Sequence, residues 1–394
     1  IKVINYSLYI LTFTAVAGIY LHIPFCRQAC TYCNFHFSTL VKNKDAVIAA
    51  MLKEIRLRSD FFPEKTEIET IYFGGGTPSL LSAGEINAFI STIGAHFTIS
   101  ENPEITLEAN PDDLSETYLQ ELKAATPVNR LSIGIQSFFE EDLQYMHRAH
   151  NAEEALQCLL RAQAAGFHEL SIDLIYGTPT LSDEHWRQNL ETVFRLQIPH
   201  ISCYALTVEE KTALAHQIKT RKSTAPSDEQ TARHFSILKE AMRSHGYLHY
   251  EISNFCKEGH FARHNTSYWK GISYLGIGPS AHSFDGTKRY WNIANNAAYT
   301  QQINDGNNAF EAETLSMTDR YNEYIMTSIR TMWGTRPDFI KVQFGEAACQ
   351  YFRKNAIAFI EKGWLKMADD AYILTESGQL FCDHISAMLF ISED

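Results

Sequence analysis

Apolar, β-branched runs recur along the first half of the chain, at residues 19–23, 70–73, 105–109, 130–135, 169–175 and 200–205. Between them lie stretches with apolar residues at helical spacing: 44–58, 82–95, 114–124, 152–165 and 183–196. Ser82, with Glu85 three positions on, reads as a capping box that opens the second of these helices. Strands alternating with helices predict βαβ units and a parallel sheet. Six such units, with no early GxGxxG turn, point to a closed or partly closed barrel rather than an open doubly wound sheet.

The pattern changes after residue 210. Residues 212–228 read as a polar connector and 230–245 as a helix. Residues 249–282, rich in Gly, Asn, His, Tyr and Trp, read as a structured loop region. From 318 a new unit begins, with helices near 318–332, 337–344 and 347–361. A hairpin follows, 364–367 and 372–374 across Asp369-Asp370, and then a last helix. That order predicts a winged-helix-like α+β domain. The expected division is an extension (1–17), a barrel (18–210), a connecting region (211–310) and a C-terminal domain (311–394).

Composition narrows the function classes. Lys plus Arg total 34 against 46 Asp plus Glu, a net charge of -12, which repels phosphate backbones and argues against general nucleic-acid binding. Of the 8 cysteines, Cys158, Cys203, Cys256, Cys349 and Cys382 stand singly among apolar neighbours. That is the usage of buried thiols in a reducing cytoplasm, not of a disulfide framework. The apolar run at 9–17 is too short to span a bilayer, and with only Lys2 as a charged flank it makes a poor signal peptide, although Ala15-Val16-Ala17 resembles a cleavage site. A misplaced start or an upstream extension is expected rather than export.

The other three cysteines carry the chemistry. Cys26, Cys30 and Cys33 have the spacing C-x3-C-x2-C, directly after the first strand. Thiolates this close on one loop suit an iron–sulfur cubane and leave its fourth iron open. The competing reading is structural zinc with His22 or His36 as a fourth ligand. No second CxxC supports it, and Phe25, Tyr32 and Phe35 suit a shielded redox centre. In barrels the chemistry lies at the C-terminal ends of the strands. There the chain places Gly74-Gly75-Gly76-Thr77, then Glu108, Gln136 and Asp173. The glycines permit close main-chain approach to a ligand, and Glu108 can accept from ribose hydroxyls. In isolation each has a plain alternative: a tight turn, or a solvated strand end. Arg148 can form a fork with a carboxylate, against the common fate of a surface arginine.

The three-cysteine signature with an aromatic before the third is that of radical S-adenosylmethionine enzymes. In order, YLHIPFC, GGGTPS, EANP, GIQSF, DLIYGTP and GIGPSAHSF resemble the oxygen-independent coproporphyrinogen III oxidase family along nearly the whole chain. The resemblance implies a partial (β/α)6 TIM-like barrel of the radical S-adenosylmethionine type and a [4Fe–4S] cluster on Cys26, Cys30 and Cys33. It implies S-adenosylmethionine contacts at Tyr20, Tyr32, Phe35, Gly75, Gly76, Thr77, Glu108, Gln136, Arg148 and Asp173, with a looser match at Thr207 and His282. Two branches divide the family. The oxidase branch has a fourth cysteine where this chain has Phe35, which argues against coproporphyrinogen decarboxylation. The heme chaperone branch has H-N-x-x-Y-W, here His264 to Trp269. That branch implies heme as a further cofactor with His264 as its candidate ligand, a heme-acceptor protein and an electron donor. Without the motif, His264 reads as a loop histidine fixed by hydrogen bonds.

Overall fold

The computed structural model describes residues 15–392. The extension therefore lies outside the described residues up to position 14. Val16 and Ala17 already belong to the first strand, and Ala17 is buried in the core.

Six parallel strands form the centre: β1 (Val16–Ile23), β2 (Glu67–Gly75), β3 (Thr98–Ala109), β4 (Arg130–Gln136), β5 (Glu169–Tyr176) and β6 (His200–Ala205). They neighbour one another in chain order. Helices α1 (Lys44–Leu57), α2 (Ala83–His96), α3 (Glu116–Ala125), α4 (Glu140–Tyr145), α5 (Ala152–Ala164) and α6 (Asp183–Arg195) fill the crossovers. The capping box is real: Ser82 Oγ accepts from Glu85 N–H while the Glu85 carboxylate accepts from Ser82 N–H. Every second residue of the strands packs outward against the helices, among them Ile19, Leu21, Ile71, Phe73, Leu107 and Ile133, all fully buried. The alternate positions fill the barrel interior and are polar. Parallel register sets Tyr20 beside Tyr72, His22 beside Gly74, and Tyr72 beside Thr106.

Residues 211–310 are more than a connector. After α7 (Ala213–Lys219) and α8 (Asp228–Ser244), strands β7 (Leu248–Glu251) and β8 (Asn254–Cys256) pair antiparallel beyond β6. Helix α9 (Arg263–Trp269) follows. Then β9 (Tyr274–Ile277) pairs parallel with β1, and β10 (His282–Phe284), β11 (Lys288–Asn292) and, after α10 (Asn296–Asn304), β12 (Phe310–Thr314) extend that edge. Among the described residues the result is a twelve-stranded sheet, β12-β11-β10-β9-β1-β2-β3-β4-β5-β6-β8-β7. The stretch 249–282, expected as loop, thus holds four short strands and a helix. Its runs are only three to seven residues long, too short for a hydrophobic period to declare itself.

A second core belongs to the C-terminal unit. It comprises α11 (Met317–Ile329), α12 (Pro337–Phe344), α13 (Glu346–Glu361), the hairpin β13 (Leu365–Ala368) and β14 (Ala371–Leu374), and α14 (Cys382–Leu389). This is the winged-helix-like order expected from the sequence. Among the described residues no helix is long and apolar enough to cross a membrane.

Candidate functional site

The loop after β1 carries Cys26, Cys30 and Cys33, all free thiols of intermediate exposure. Neighbouring segments hold its backbone. Cys26 N–H donates to Ser38 O (3.1 Å), Thr31 N–H to Met146 O (3.1 Å) and Leu214 N–H to Thr31 O (2.8 Å). His147 Nδ1 meets Ala29 O at 2.9 Å, and Arg27 pairs with Asp113 at 2.9 Å. These contacts tie the loop to the turn after β3, to the segment after α4 and to α7. Burial, with the neighbouring thiols adding, pushes the Cys26 thiol up to about 11.

A zinc ion holds every ligand about 2.3 Å or less from one point. No three His, Cys, Asp or Glu side chains among the described residues are grouped that way. A cubane binds each thiolate to a different iron, so its sulfurs stand farther apart than those around one zinc ion. Of the two histidines that could complete a zinc site, His22 is engaged at both ring nitrogens and His36 at one. His22 Nε2 meets His36 O at 2.9 Å, its Nδ1 meets Tyr20 OH at 3.1 Å, and His36 Nε2 meets Asn296 Oδ1 at 2.8 Å.

The glycine turn after β2 packs directly on the cysteine loop. A Cβ on Gly76 would stand 2.6 Å from Phe25 O, and one on Gly75 2.6 Å from His22 Nδ1; Gly75 also has φ +107°. The turn's N–H groups are already used. Gly75 donates to Glu108 Oε2 (3.1 Å), Gly76 to Ile23 O (2.8 Å) and Thr77 to Phe25 O (2.7 Å). The expectation that these glycines offer main-chain hydrogen bonds to a ligand is corrected for the donors: they fasten the turn to β1, β3 and the cysteine loop.

Behind the turn, Glu108 also accepts from Tyr72 OH at 2.7 Å. Burial, with Asp173 nearby, pushes its carboxyl up to about 7. Asp173, from the middle of β5, is raised to about 6 by burial, offset in part by Ser202. Gln136 ends β4 at φ +66°, a left-handed conformation that costs a non-glycine residue about 1–2 kcal/mol. A Cβ on Gly134 would touch both Gln136 Nε2 (2.9 Å) and Arg148 Nη2 (3.2 Å), which puts these two side chains at one spot.

Arg148 is no surface arginine. It lies beyond α4 and reaches back into the barrel mouth, donating to Cys30 Sγ (3.3 Å), Asn110 Oδ1 (2.7 Å) and Gly134 O (2.8 Å). Its Nε is buried without a protein partner, a donor aimed at a site. Asn110, which also donates to Thr77 Oγ1 (3.2 Å), and Tyr72 were not among the sequence candidates. Asn110 stands inside the EANP motif, where it could have been found; nothing local marks Tyr72.

The remaining candidates are placed as follows. Tyr20 stacks on Tyr72 within the barrel, with ring centres 6.1 Å apart. Tyr32 packs against Met146, Ile175, Leu206 and Leu214. Phe35 is 69% exposed, beside the cysteines. Thr207 is exposed after β6, and His282 lies exposed on β10 near His22.

His264 departs from expectation. It is no loop residue but part of the first turn of α9, 2% exposed. Nδ1 bonds Thr70 Oγ1 (2.7 Å), Nε2 bonds Tyr268 OH (2.9 Å), and the ring stacks on Tyr72 at 5.0 Å. Burial pushes it down to about 3, so it is neutral. An axial heme ligand needs a ring nitrogen with a free lone pair and space for the porphyrin plane. His264 has neither, and the site does not fit heme.

Comparison with known proteins agrees with this architecture. Residues 20–193 match the Radical SAM superfamily and residues 315–381 the HemN C-terminal domain. The chain is 31% identical over 373 residues to the heme chaperone HemW of Mycobacterium tuberculosis, covering 93% of each. It is 31% identical over 386 residues to that of Escherichia coli, covering 95% of this chain and 98% of the relative. Among solved structures, the coproporphyrinogen III oxidase HemN of Escherichia coli superposes with a TM-score of 0.82 at 24% identity over 96% of this chain and 90% of that one, a likeness of fold. The chain belongs to the HemW heme chaperone family of radical S-adenosylmethionine proteins, within the broader oxygen-independent coproporphyrinogen III oxidase family.

Proposed function

We propose that the chain is a heme chaperone that holds a [4Fe–4S] cluster on Cys26, Cys30 and Cys33 and binds S-adenosylmethionine beside it. In this reading it carries heme to an acceptor protein in a reducing compartment, the cytoplasm. One observation carries the cluster half of the proposal: three free thiols on one short loop, with the buried Arg148 guanidinium at Cys30 and the buried carboxyls of Glu108 and Asp173 in the same barrel. When bound, such a cluster supplies an electron from a donor protein at a potential as low as about −700 mV, which redox-inert zinc cannot do. The chain's own residues bind and orient. The Arg148 guanidinium takes the methionine carboxylate, and Glu108 and Asp173 accept from the ribose hydroxyls. Gln136 and Phe35 border the nucleoside, with Tyr20, Tyr32, Gly75, Gly76 and Thr77 shaping the site's walls.

Membership of the HemW family and Phe35 in place of a fourth cysteine favour heme carriage over coproporphyrinogen oxidation. The test is anaerobic reconstitution followed by iron, sulfide and heme analysis. The expected result is roughly four irons per chain, as a three-thiolate cubane requires, S-adenosylmethionine cleavage under reduction, and stoichiometric heme binding. Cys26→Ala, Cys30→Ala or Cys33→Ala should abolish the cluster. Zinc without sulfide, or efficient conversion of coproporphyrinogen III, would overturn the reading.

A further inference from the structure

With both ring nitrogens of His264 engaged inside the barrel, the H-N-x-x-Y-W segment has another use, and the layers of the barrel interior show it. Register pairs Gly18 with Thr70 and, one layer higher, Tyr20 with Tyr72. The first turn of α9 closes the floor beneath them. His264 N–H and Arg263 N–H donate to the Glu104 carboxylate on β3 at 2.9 and 3.0 Å, which draws that turn against the strands. Gly18 makes the room for the imidazole: a Cβ there would stand 3.1 Å from His264 Cε1 and 2.7 Å from Thr70 Oγ1. The far end of α9 is held as well, since the Arg330 guanidinium lies 4.8 Å over the Trp269 ring.

Ring stacking joins the floor to the layer above. His264 lies 5.0 Å from Tyr72 at an interplanar angle of 23°, and 6.4 Å from Tyr20 at 25°. Ring centres about 4.5–7 Å apart are those of favourable offset stacking. The Tyr72 ring is thus held by the imidazole and by Tyr20, and its hydroxyl is spent on the layer above. Tyr72 O–H donates to Glu108 Oε1 at 2.7 Å, while Gly75 N–H donates to Oε2 at 3.1 Å. Those two bonds set where the carboxylate points. If the imidazole is removed, Tyr72 can tilt into the vacated space and its hydroxyl leaves Oε1. The carboxylate then keeps one donor and gains rotamers, and ordering it again on binding costs affinity.

We infer that the H-N-x-x-Y-W segment is the floor of the S-adenosylmethionine site, and that His264 and Tyr72 are positioning residues that fix the Glu108 carboxylate for the ribose hydroxyls. This rests on the S-adenosylmethionine half of the reading above and is independent of where heme binds. His264 touches no ligand in this arrangement. It acts through the Tyr72 ring, and Tyr268, whose hydroxyl meets His264 Nε2 at 2.9 Å, holds the imidazole in place.

The experiment is equilibrium dialysis of S-adenosylmethionine against the reconstituted full chain, with the cluster left oxidised so that no ligand is consumed and with iron measured on each sample. His264→Gln should weaken binding by about fivefold, within the usual coupling between groups in contact. Tyr268→Phe, which removes one hydroxyl, should act in the same direction by about twofold. Cluster iron should stay at the wild-type level in both. The deciding comparison is made in the Glu108→Gln background, where adding either change should alter the affinity by a smaller factor than it does in the wild type. A histidine that merely stabilises the barrel would cost the same factor in both backgrounds, and that result overturns the inference. Wild-type affinity in both His264→Gln and Tyr268→Phe overturns it too, as does a loss of affinity that follows a loss of iron. Should His264→Gln fail to fold, Tyr268→Phe alone and combined with Glu108→Gln carries the same comparison. A wild type that binds no S-adenosylmethionine removes the proposed reading itself.

Discussion

Glu108 shows what burial does to a single side chain at this site. Its carboxyl, pushed up to about 7, is neutral in acid and gains its charge only as pH rises through neutrality. Hydrogen bonds to a charged acceptor contribute about 1.5–3 kcal/mol. Glu108→Gln should therefore weaken S-adenosylmethionine binding by about tenfold or more. Wild-type affinity, measured by equilibrium dialysis, should rise between pH 6 and 8 more steeply than that of the variant, in which Asp173, raised to about 6, still titrates; parallel profiles would remove Glu108 from the site. His264 runs the other way. Folded, it titrates near 3; unfolded, near 6.5. The unfolded chain thus binds more protons between those values. Stability from this residue is fully present above 6.5 and is lost as pH falls toward 3. The stability gap between wild type and His264→Gln should be wider at pH 7 than at pH 4.5, narrowing by at most about 1.4 kcal/mol per pH unit. Denaturant unfolding at the two pH values measures it, and an unchanged gap would mean that the imidazole is not neutral in the fold.

Secondary elements differ in how far their own sequence announces them. The six central strands and their long helices are legible because each buries a regular stripe, and Ser82 and Glu85 mark the start of α2 chemically. The edge strands β7 to β10 carry no such period and exist because β6 and β1 offer them unpaired edges. The glycine turn is legible as a motif, but its purpose is not. GGGTP states that the backbone must come close to something, and only the fold shows that the neighbour is the backbone of Phe25 and Ile23. Gly76→Ala should therefore act on the cysteine loop. A Cβ 2.6 Å from a carbonyl oxygen forces that loop to move, and overpacking of this kind costs about 1–3 kcal/mol. Cluster iron after reconstitution should fall well below wild type while the far-ultraviolet circular dichroism holds. Full iron loading would show that the loop yields freely.

At the scale of the molecule, the barrel and the C-terminal unit have separate cores but share one buried charge. Glu251, 1% exposed, accepts from Arg330 Nε at 2.7 Å, and Ile252 N–H and Met332 N–H exchange main-chain bonds with Arg330 O and Tyr250 O. Arg330→Ala leaves that carboxylate with only Ser253 N–H and Asn254 Nδ2 as donors. Losing the charged partner should cost about 2 kcal/mol, read as a lower thermal midpoint; an unchanged midpoint would show that the junction carries no stability.

By itself the sequence determined the local physics. Hydrophobic period placed the strands and helices, the cysteine spacing marked the candidate ligands, and the run of motifs identified the family, because each of these is written within a few neighbouring residues. Tertiary structure alone decided what depends on residues far apart. Arg148 turns inward because Asn110, Gly134 and Cys30 wait for it. His264 is closed to a ligand because Thr70 and Tyr268 hold both its nitrogens. Whether a histidine can bind a metal is set by which of its lone pairs the fold leaves free, and no spacing along the chain records that.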